Sequence, residues 1–347
     1  MTLGNLANLT CISLFSLIGL TSCTVTDSNT AALLEPPVPA INSLEMAAAS
    51  SNTPLTRFIS DERAGLTDLE VTPDSCIARL EQSQHQSYPD HYALPDEVSL
   101  VSWNIYKAQH PNLASDLAHL NSSTDILLLQ EALLNEDLVN LKPFWRFAPG
   151  YKSGEQQSGV LTLSRWPATV HCHFAHVEPW LRTPKATNVV EYLMHDGQRL
   201  LAINLHAINF SFGLEDYRKQ LDDAIAIIEH HKGPVVFAGD LNSWSLRRGK
   251  LLDERLKSVG LEAATFSQDN RTRFWGQPLD SVWVRGININ STEVPVSSSS
   301  DHNPILVSFN MNHSPVPEGP TRSVNTIASV QPDNANSQED SFNVIEN

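Results

Sequence analysis

Six short segments place polar residues at or just beyond the ends of apolar runs. They are SWNIYK with Asn104, LLLQEAL with Glu131, NLHAINF with His206, GDLN with Asp240 and Asn242, PLDSVWV with Asp280, and SSSDHNP with Asp301 and His302. Cleaving a phosphate ester needs an activated nucleophile, neutralised phosphoryl charge and help for the leaving oxygen. Carboxylate and amide oxygens suit Mg²⁺, and histidines hold or transfer protons near neutral pH. The segments together could therefore supply that chemistry.

Taken singly, most of these residues have an ordinary structural explanation. Asn104 could bond a neighbouring loop, Glu131 could cap a following helix, and His206 could be a core histidine with its ring satisfied. An Asx turn could account for GDLN, and Asp301 could cap a strand. A buried strand that runs into Gly-Asp-x-Asn is harder to explain in this way. The complete ordered set is harder still, so the order favours a functional site.

Alternating apolar segments predict the scaffold that positions these residues. Strand composition covers residues 98–105, 126–131, 159–164, 188–193, 199–206 and 234–240, and DSVWVRG and NPILVSF follow. Residues 214–231 have helical periodicity, with one apolar face formed by Leu214, Tyr217, Leu221, Ala224, Ile225 and Ile228. Strands with intervening helices indicate an α/β domain that presents polar side chains at strand ends.

The net charge of −16 is concentrated in the flanks of the chain. Residues 24–95 hold ten acids and three bases, and residues 311–347 hold five acids and one base. The middle carries no basic stripe of the kind that marks a tight nucleic-acid binder. An acidic protein can still handle phosphates if a divalent cation supplies the positive charge.

The N-terminal residues predict export. CISLFSLIGL, residues 11–20, has the length of a signal-peptide core, is short for a membrane span, and leads into Leu-Thr-Ser-Cys ending at Cys23. This end resembles a bacterial lipobox, although no Lys or Arg precedes it; an ordinary cleaved signal or an uncleaved anchor is the alternative. We predict a lipoprotein signal over residues 1–22 and lipidation of Cys23. The protein would then be a membrane-anchored lipoprotein of the bacterial cell envelope, facing the periplasm.

Composition divides the rest of the chain into three parts. Residues 23–95 are expected to be a linker and an N-terminal extension, residues 96–312 the α/β domain, and residues 313–347 a disordered tail. In an exported protein Cys76 and Cys172 could form a disulfide or remain two buried thiols, and the sequence leaves both open. We expect a monomer.

The ordered pattern N…QE…NxH…GDxN…LD…SDH resembles the endonuclease/exonuclease/phosphatase superfamily, which includes deoxyribonuclease I, over roughly residues 97–310. The GDxN and SDHxP elements are specific in combination, whereas WN and QE are weaker signals. WNIYK, NLHAINF, GDLN and SDHNP look most like a bacterial branch of uncharacterised members. The resemblance implies a four-layer α/β sandwich of two packed mixed β-sheets flanked by helices. It also implies Mg²⁺-dependent phosphoester hydrolysis, with Mn²⁺ as an alternative cofactor.

The resemblance implies two roles for the residues with side-chain oxygens: some bind the metal ion, and others position or deprotonate the attacking water. Asn104 and Glu131 are the expected Mg²⁺ ligands, and Asp301 would add a direct or water-mediated contact. Asp240 is placed to orient and deprotonate a water molecule. Asn242 cannot titrate, so it would hold the water or donate to the phosphate.

The two histidines are expected to act on the phosphate. His302 would contact it or serve as general base, and Asp280 would orient the ring and favour its charged form. His206 matches a histidine of deoxyribonuclease I and the sphingomyelinases, and is a candidate general acid or phosphate ligand. DNA or RNA is therefore the first expected substrate. Alternatives are phospholipid or phosphomonoester hydrolysis, and a surface lipoprotein that keeps the fold without catalysis.

Two features bear on the choice of substrate. Membrane-active sphingomyelinases usually carry an exposed aromatic hairpin, and the sequence suggests none here, since Trp180–Leu181 is too small a candidate. Five cations could lie near the cleft: Arg182, Lys185, Arg247, Arg248 and Lys250. For the last three, which follow GDLNSWS, a solvated helix start is the favoured explanation.

Overall fold

Two six-stranded β-sheets form the centre of the molecule. A computed structural model describes residues 71–311 of the 347-residue chain. The predicted signal peptide, Cys23, the linker up to residue 70 and the predicted tail lie outside the described residues. The strands are β1 Glu97–Asn104, β2 Ile126–Leu133, β3 Phe144–Ser153, β4 Gln156–Ser164, β5 Val170–Val177, β6 Pro184–Leu193, β7 Arg199–His206, β8 Val235–Asp240, β9 Glu262–Ala263, β10 Arg273–Phe274, β11 Gln277–Pro278, β12 Asp280–Arg285, β13 Ile287–Glu293 and β14 Ile305–Met311.

The described residues also form five α-helices and two 3₁₀ turns. The helices are α1 Pro73–Ser83, α2 Leu113–Ser123, α3 Glu136–Val139, α4 Glu215–His230 and α5 Leu246–Ser258, and the turns are Asp90–Tyr92 and Tyr106–Ala108. Thr72 caps α1 by accepting from the Ser75 N–H, and Ser245 caps α5 by accepting from the Arg248 N–H. The helix predicted over residues 214–231 is α4. Within the described range, the helices are too short or too polar to cross a bilayer.

Both sheets are mixed, because each contains one parallel pair of strands. The order is β13-β14-β1-β2-β4-β3 in the first sheet and β5-β6-β7-β8-β12-β9 in the second. Strands β1 and β2 are parallel, as are β7 and β8. Parallel neighbours require a crossover connection, and helices α2 and α4 supply the two crossovers. The remaining neighbours within the two sheets are antiparallel.

Apolar side chains fill three interfaces between four layers. Between the sheets, Leu100 and Leu128 of the first pack with Val190 and Val236 of the second. The outer face of the first sheet packs against α2 through residues such as Leu117. Helices α1, α4 and α5 cover the outer face of the second sheet. The layers are therefore helix, sheet, sheet and helix, which confirms the α/β sandwich predicted from the sequence.

Helix α1 belongs to the predicted N-terminal extension and packs on the domain. Its residues Ile77 and Leu80 are buried in the outer core of the second sheet. Cys76 of α1 forms a disulfide with Cys172 of β5, and their Cα atoms are 5.8 Å apart. Of the two states that the sequence left open, the structure has the disulfide.

His231, at the end of α4, is expected to make the protein less stable in acid. Its ring is buried and Nε2 lies 2.9 Å from the Arg199 carbonyl. Burial lowers the pKa of His231 to about 4. Between that value and the unfolded value of about 6.5, the unfolded chain binds more protons, so stability falls as the pH falls. The neutral ring should contribute about 3 kcal/mol that is lost across this window.

Urea midpoints at pH 7 and pH 5 test this expectation. His231→Gln should flatten the pH dependence, because glutamine does not titrate. The matched control is His230→Gln, at the exposed neighbouring position, which should keep the pH dependence of the unchanged chain. An equal acid sensitivity in both variants would assign the effect to other groups.

Candidate active site

The predicted site residues converge at one end of the two sheets. Asn104 ends β1 and lies opposite Gln130 of β2, while His206 ends β7 and lies opposite Asp240 of β8. Asp280 opens β12 and is paired with Asp240 across the antiparallel ladder. Parallel strands present their carboxyl ends at the same edge, so residues distant in sequence become neighbours there.

Asp240 is the centre of the cluster. Its carboxylate is buried, at 3 % exposure. Oδ2 accepts a hydrogen bond from Asn104 Nδ2 at 3.0 Å and lies 3.5 Å from His206 Nε2 and 3.9 Å from His302 Nε2. Oδ1 accepts from the Asn242 N–H at 3.1 Å. Burial raises the pKa of Asp240, and the charge of His302 opposes this shift. The group is therefore a better proton acceptor than an exposed carboxylate.

His302 and Asp280 form a buried pair. Nδ1 of His302 lies 2.8 Å from Asp280 Oδ2. Burial of the ring opposes its protonation, but the carboxylates of Asp280 and Asp240 outweigh it and raise the pKa of His302 to about 10. The ring is thus an imidazolium at neutral pH. Three further contacts fix the loop: Trp103 Nε1 donates to the His302 carbonyl, and Ser300 Oγ accepts from the His302 N–H and donates to the Asn104 carbonyl.

His206 is held in its neutral form beside a lysine. Lys185 Nζ lies 2.8 Å from His206 Nε2, and the lysine ammonium is the donor. Burial, followed by the charges of Lys185, His302 and Lys107, holds the pKa of His206 well below its usual value. The pair therefore carries one positive charge, located on Lys185. The sequence suggested Lys185 only as a flanking cation.

Glu131 owes its position to an irregularity of β2. The pairing of β2 with β4 shifts register between Leu129 and Ala132, and Glu131 itself has a left-handed φ of 51°. A bulge of this kind re-aims a side chain at a strand end. Glu131 Oε1 lies 3.9 Å from His206 Nε2, and Oε2 lies 3.3 Å from Lys107 Nζ. Oε2 is buried and makes no hydrogen bond with the part of the chain that the structure describes.

This oxygen fits a divalent cation, because it has the ion pair with Lys107 but accepts no hydrogen bond within residues 71–311. A buried carboxylate oxygen that accepts no hydrogen bond is costly, and a hard cation would satisfy it. Asn104 is the other ligand type close by, although its Oδ1 already accepts from the Tyr106 N–H at 3.1 Å. Asp240, Asp280 and His302 also lie within 4.8 Å of one another. Because His302 is charged and paired with both acids, that trio is an ion-paired set rather than an open ligand set.

The remaining two predicted residues lie at the edges of the cluster. Asn242 is buried, has a φ of 45°, and donates from Nδ2 to the Ala207 carbonyl at 2.9 Å. This contact ties the GDLN loop to the segment after His206. Asp301 is exposed, and its Oδ1 lies 3.4 Å from Ser300 Oγ. The structure thus places Asp301 on the rim, where its role as a metal contact stays a prediction.

Arg248 corrects an expectation from the sequence. The sequence favours a solvated helix start at this position, but Arg248 is 1 % exposed. Its guanidinium donates to the carbonyls of Ile208, Asn209 and Asn242 at 2.6, 2.8 and 3.1 Å. Planar donors in a fixed fork suit this task. Arg248 therefore joins the loop after β7 to the loop after β8, and both loops carry site residues.

Glu178 holds the same loop from its other side. The side chain is 1 % exposed, and its Oε1 accepts from the N–H groups of Asn209 and Phe210 at 2.7 and 3.0 Å. Its Oε2 accepts from Thr183 Oγ1. The sequence has no signal for Glu178, because the loop N–H groups that donate to it lie about thirty residues away.

Glu178→Gln is expected to act through the loop and not through the chemistry. An amide keeps one acceptor oxygen and places a donor where a backbone N–H points, so the variant should lose about 1–3 kcal/mol of stability. Turnover should fall about tenfold, because sub-ångström displacement of a positioned group costs rate. The control is Glu215→Gln on the exposed start of α4. Unchanged urea midpoint and turnover in Glu178→Gln would refute this role.

An exposed aromatic hairpin stands near the site, contrary to the expectation from the sequence. Strands β10 and β11 form a two-stranded ladder, with Trp275 at its turn 77 % exposed and Phe274 beside it half exposed. The two rings pack on Trp244, with centroids 5.7 and 6.4 Å away. A second exposed pair, Trp180 and Phe212, has ring centroids 4.6 Å apart.

A cavity of about 300 Å³ opens beside the cluster. Its lining combines Lys107, Glu131, Lys185 and His206 of the site with the half-exposed rings of Tyr151 and Phe210. Such a cavity can hold a charged group and an apolar group together.

A four-layer sandwich with buried carboxylates and histidines at its strand ends is the arrangement that the resemblance to the endonuclease/exonuclease/phosphatase superfamily implies. The chain belongs to the endonuclease/exonuclease/phosphatase family, whose model matches residues 101–302. Within it, the chain is 42 % identical over 224 residues to a UPF0294 protein of Vibrio vulnificus strain CMCP6, covering 62 % of this chain and 77 % of the relative. It is 37 % identical over 230 residues to a UPF0294 protein of Yersinia enterocolitica, covering 65 % and 88 %.

Two solved structures have a distant likeness to the chain. An endonuclease/exonuclease/phosphatase from Beutenbergia cavernae has a TM-score of 0.49 and 13 % identity, over 64 % of this chain and 73 % of that one. Truncated TDP2 from Caenorhabditis elegans has a TM-score of 0.43 and 22 % identity, over 62 % and 97 %.

Proposed function

We propose that the protein is a Mg²⁺-dependent phosphodiesterase that hydrolyses its substrate by attack of water. The observation that carries this proposal is the environment of Asp240. One buried carboxylate with a raised pKa accepts from Asn104 and faces His206 and His302 within 4 Å. A general base that operates near neutral pH needs a pKa brought toward that range.

Glu131 and Asn104 would hold the metal ion, and Asp301 could add a water-mediated contact from the rim. When bound, Mg²⁺ would neutralise charge on the phosphoryl oxygens, and Mn²⁺ could replace it. The side chain of Lys107 is 43 % exposed and can swing away from Glu131 Oε2 to make room. The donor set of one carboxylate and one amide leaves the remaining positions to water, as Mg²⁺ prefers.

The other residues handle protons and phosphate charge. Asp240 takes the proton of the attacking water. His302 is held as an imidazolium by Asp280, so it donates to a phosphoryl oxygen instead of acting as the base. The neutral ring of His206 orients Lys185, whose ammonium donates to the leaving oxygen. These donors are fixed before the substrate binds, which is the main source of electrostatic catalysis.

A nucleic-acid phosphodiester is the substrate that we propose first. Support comes from the two-histidine cluster and from exposed rings beside a phosphate site, since every base offers a face for stacking. The aromatic hairpin at Phe274 and Trp275 favours a second candidate, a phospholipid, because exposed aromatic side chains also enter lipid interfaces.

We also propose that the protein is exported and anchored through Cys23. The disulfide between Cys76 and Cys172 supports export, because such bonds persist in oxidising compartments.

Nicking of supercoiled plasmid by the purified chain tests the proposal, with Mg²⁺ and with EDTA. Glu131→Gln should abolish Mg²⁺-dependent nicking, and Glu136→Gln, on the short helix just after β2, should not. If the chain does not nick plasmid, the next assay is hydrolysis of sphingomyelin and phosphatidylcholine vesicles. Hydrolysis of either lipid would favour the second candidate, a phospholipid substrate. Metal-independent activity, or activity on none of these substrates, would overturn the proposed function.

A further inference from the structure

A second cavity, of about 300 Å³, lies at the opposite end of the sheets from the candidate active site. Its lining includes Arg79 of α1, Arg146 of β3, His171 of β5, and Ser83, Tyr88 and Thr169. The strand register gives its place: Val170 pairs with Glu191, which pairs with Leu201 near the start of β7, whereas His206 ends that strand. The catalytic cluster does not use these residues.

Arg146 is the most unusual group in this cavity. Its guanidinium is partly buried, and the described contact is one hydrogen bond from Nη1 to the Trp145 carbonyl at 2.8 Å. No carboxylate of residues 71–311 lies within ion-pair distance of it. A guanidinium has five N–H donors and keeps its charge, so burial without an anionic partner is costly. The burial lowers the pKa of Arg146 accordingly.

The surroundings of Arg146 are also positive. Asp and Glu are absent from the described lining of the cavity, although the chain has a net charge of −16. Burial, followed by the charges of Arg146, His173 and Arg79, holds the pKa of the His171 ring well below its usual value. The neighbouring Glu191 does not line the cavity, and its buried carboxylate accepts hydrogen bonds from Ser83 and Thr169 of the lining and from Gln84.

We propose that this cavity binds a phosphate-class oxyanion, at a site separate from the catalytic cluster. Guanidinium groups bind phosphate oxygens through paired, charge-assisted hydrogen bonds, and Arg146 supplies such a group to the cavity. Arg79 adds a second positive charge to the lining while its Nη1 donates to the His171 carbonyl at 3.3 Å. The volume exceeds that of a phosphate ion, so the ligand can be free phosphate or the phosphate of a larger molecule. The proposal goes beyond the proposed function and does not depend on it.

Isothermal titration calorimetry of the purified full chain with inorganic phosphate, in the presence of EDTA, tests the site. Arg146→Gln should weaken phosphate binding at least tenfold. Arg146→Lys keeps the positive charge but loses the planar pair of N–H donors. Its affinity for phosphate should therefore lie between those of the unsubstituted protein and Arg146→Gln. Circular dichroism spectra would confirm that both variants are folded. Arg255→Gln, which removes an arginine paired with Asp222 on the surface, is the matched control and should bind phosphate like the unsubstituted protein. Lys185→Gln reports separately on phosphate that binds at the catalytic cluster.

Two further titrations identify the source of the phosphate. Adenosine monophosphate and vesicles containing phosphatidic acid present the same group on a nucleoside and on a lipid. Tighter binding of either, lost in Arg146→Gln, would name the natural ligand class. The proposal fails if phosphate does not bind saturably, if Arg146→Gln binds it equally well, or if only Lys185→Gln weakens it. Plasmid nicking is read separately, so either proposal can fail alone.

Discussion

Asp240→Asn is expected to lower turnover by about a hundredfold or more, in line with the loss of a general base. An amide has the same shape as the carboxylate but cannot accept the proton of the attacking water. The fold should persist, because the variant removes a buried charge whose ionised form is disfavoured by burial. Hydrogen bonding to Asn104 survives if the new amide turns its oxygen toward Asn104 Nδ2. Initial rates at saturating substrate and Mg²⁺ measure the effect.

The matched control for this prediction is Asp253→Asn. Asp253 makes an exposed ion pair with Lys257 on α5, and such pairs contribute about 0–1 kcal/mol. The turnover of Asp253→Asn should therefore match that of the unsubstituted protein. The free energies of unfolding of the two variants, measured in urea, should agree within about 1 kcal/mol. If Asp240→Asn keeps near-normal turnover while remaining folded, Asp240 is not the base.

The strand ends that carry the site could be predicted because each is a local signal. Asn104, His206 and Asp240 each terminate an apolar run, and a buried run that ends in polar residues is recognisable without any tertiary information. Their convergence follows from the parallel pairing of β1 with β2 and of β7 with β8. The resemblance to a known family supplied the packing of the two sheets.

The groups that stabilise the site could not be predicted, because their partners are distant backbone atoms. Arg248 donates to carbonyls about forty residues away, and Glu178 accepts from N–H groups about thirty residues away. Neither residue has a periodic or motif signal. In the sequence, Arg248 is one of several cations after GDLNSWS, and only its burial distinguishes it from Arg247, which is exposed.

Local backbone geometry also lacks a sequence signal. The aromatic hairpin could not be predicted, because β10 and β11 have two residues each, too few for an alternating pattern. The bulge that aims Glu131 is likewise a departure from regular pairing, with a positive φ that a glutamate rarely adopts. Strained positions of this kind concentrate at functional sites, where the surrounding packing determines them.

Reduction of the disulfide is expected to cause the largest loss of stability. Cys76 and Cys172 are separated by 96 residues, and a bond that closes a loop of this length contributes about 4–5 kcal/mol by restricting the unfolded chain. For a domain of this size that loss corresponds to a melting temperature lower by about 10 °C. The double variant Cys76→Ala, Cys172→Ala should show it, and so should the unchanged chain in dithiothreitol.

Measurements with and without reductant distinguish the stability contributed by the disulfide bond from that contributed by packing of the two sulfur atoms. Dithiothreitol should destabilise the unchanged chain and leave the double variant unaffected, because only the former has a bond to reduce. Since Ile77 and Leu80 remain buried against the second sheet, α1 should stay docked in both cases, and turnover at 25 °C should change little. If dithiothreitol does not lower the melting temperature of the unsubstituted protein, the prediction is wrong. The main structural support for export would then also be lost.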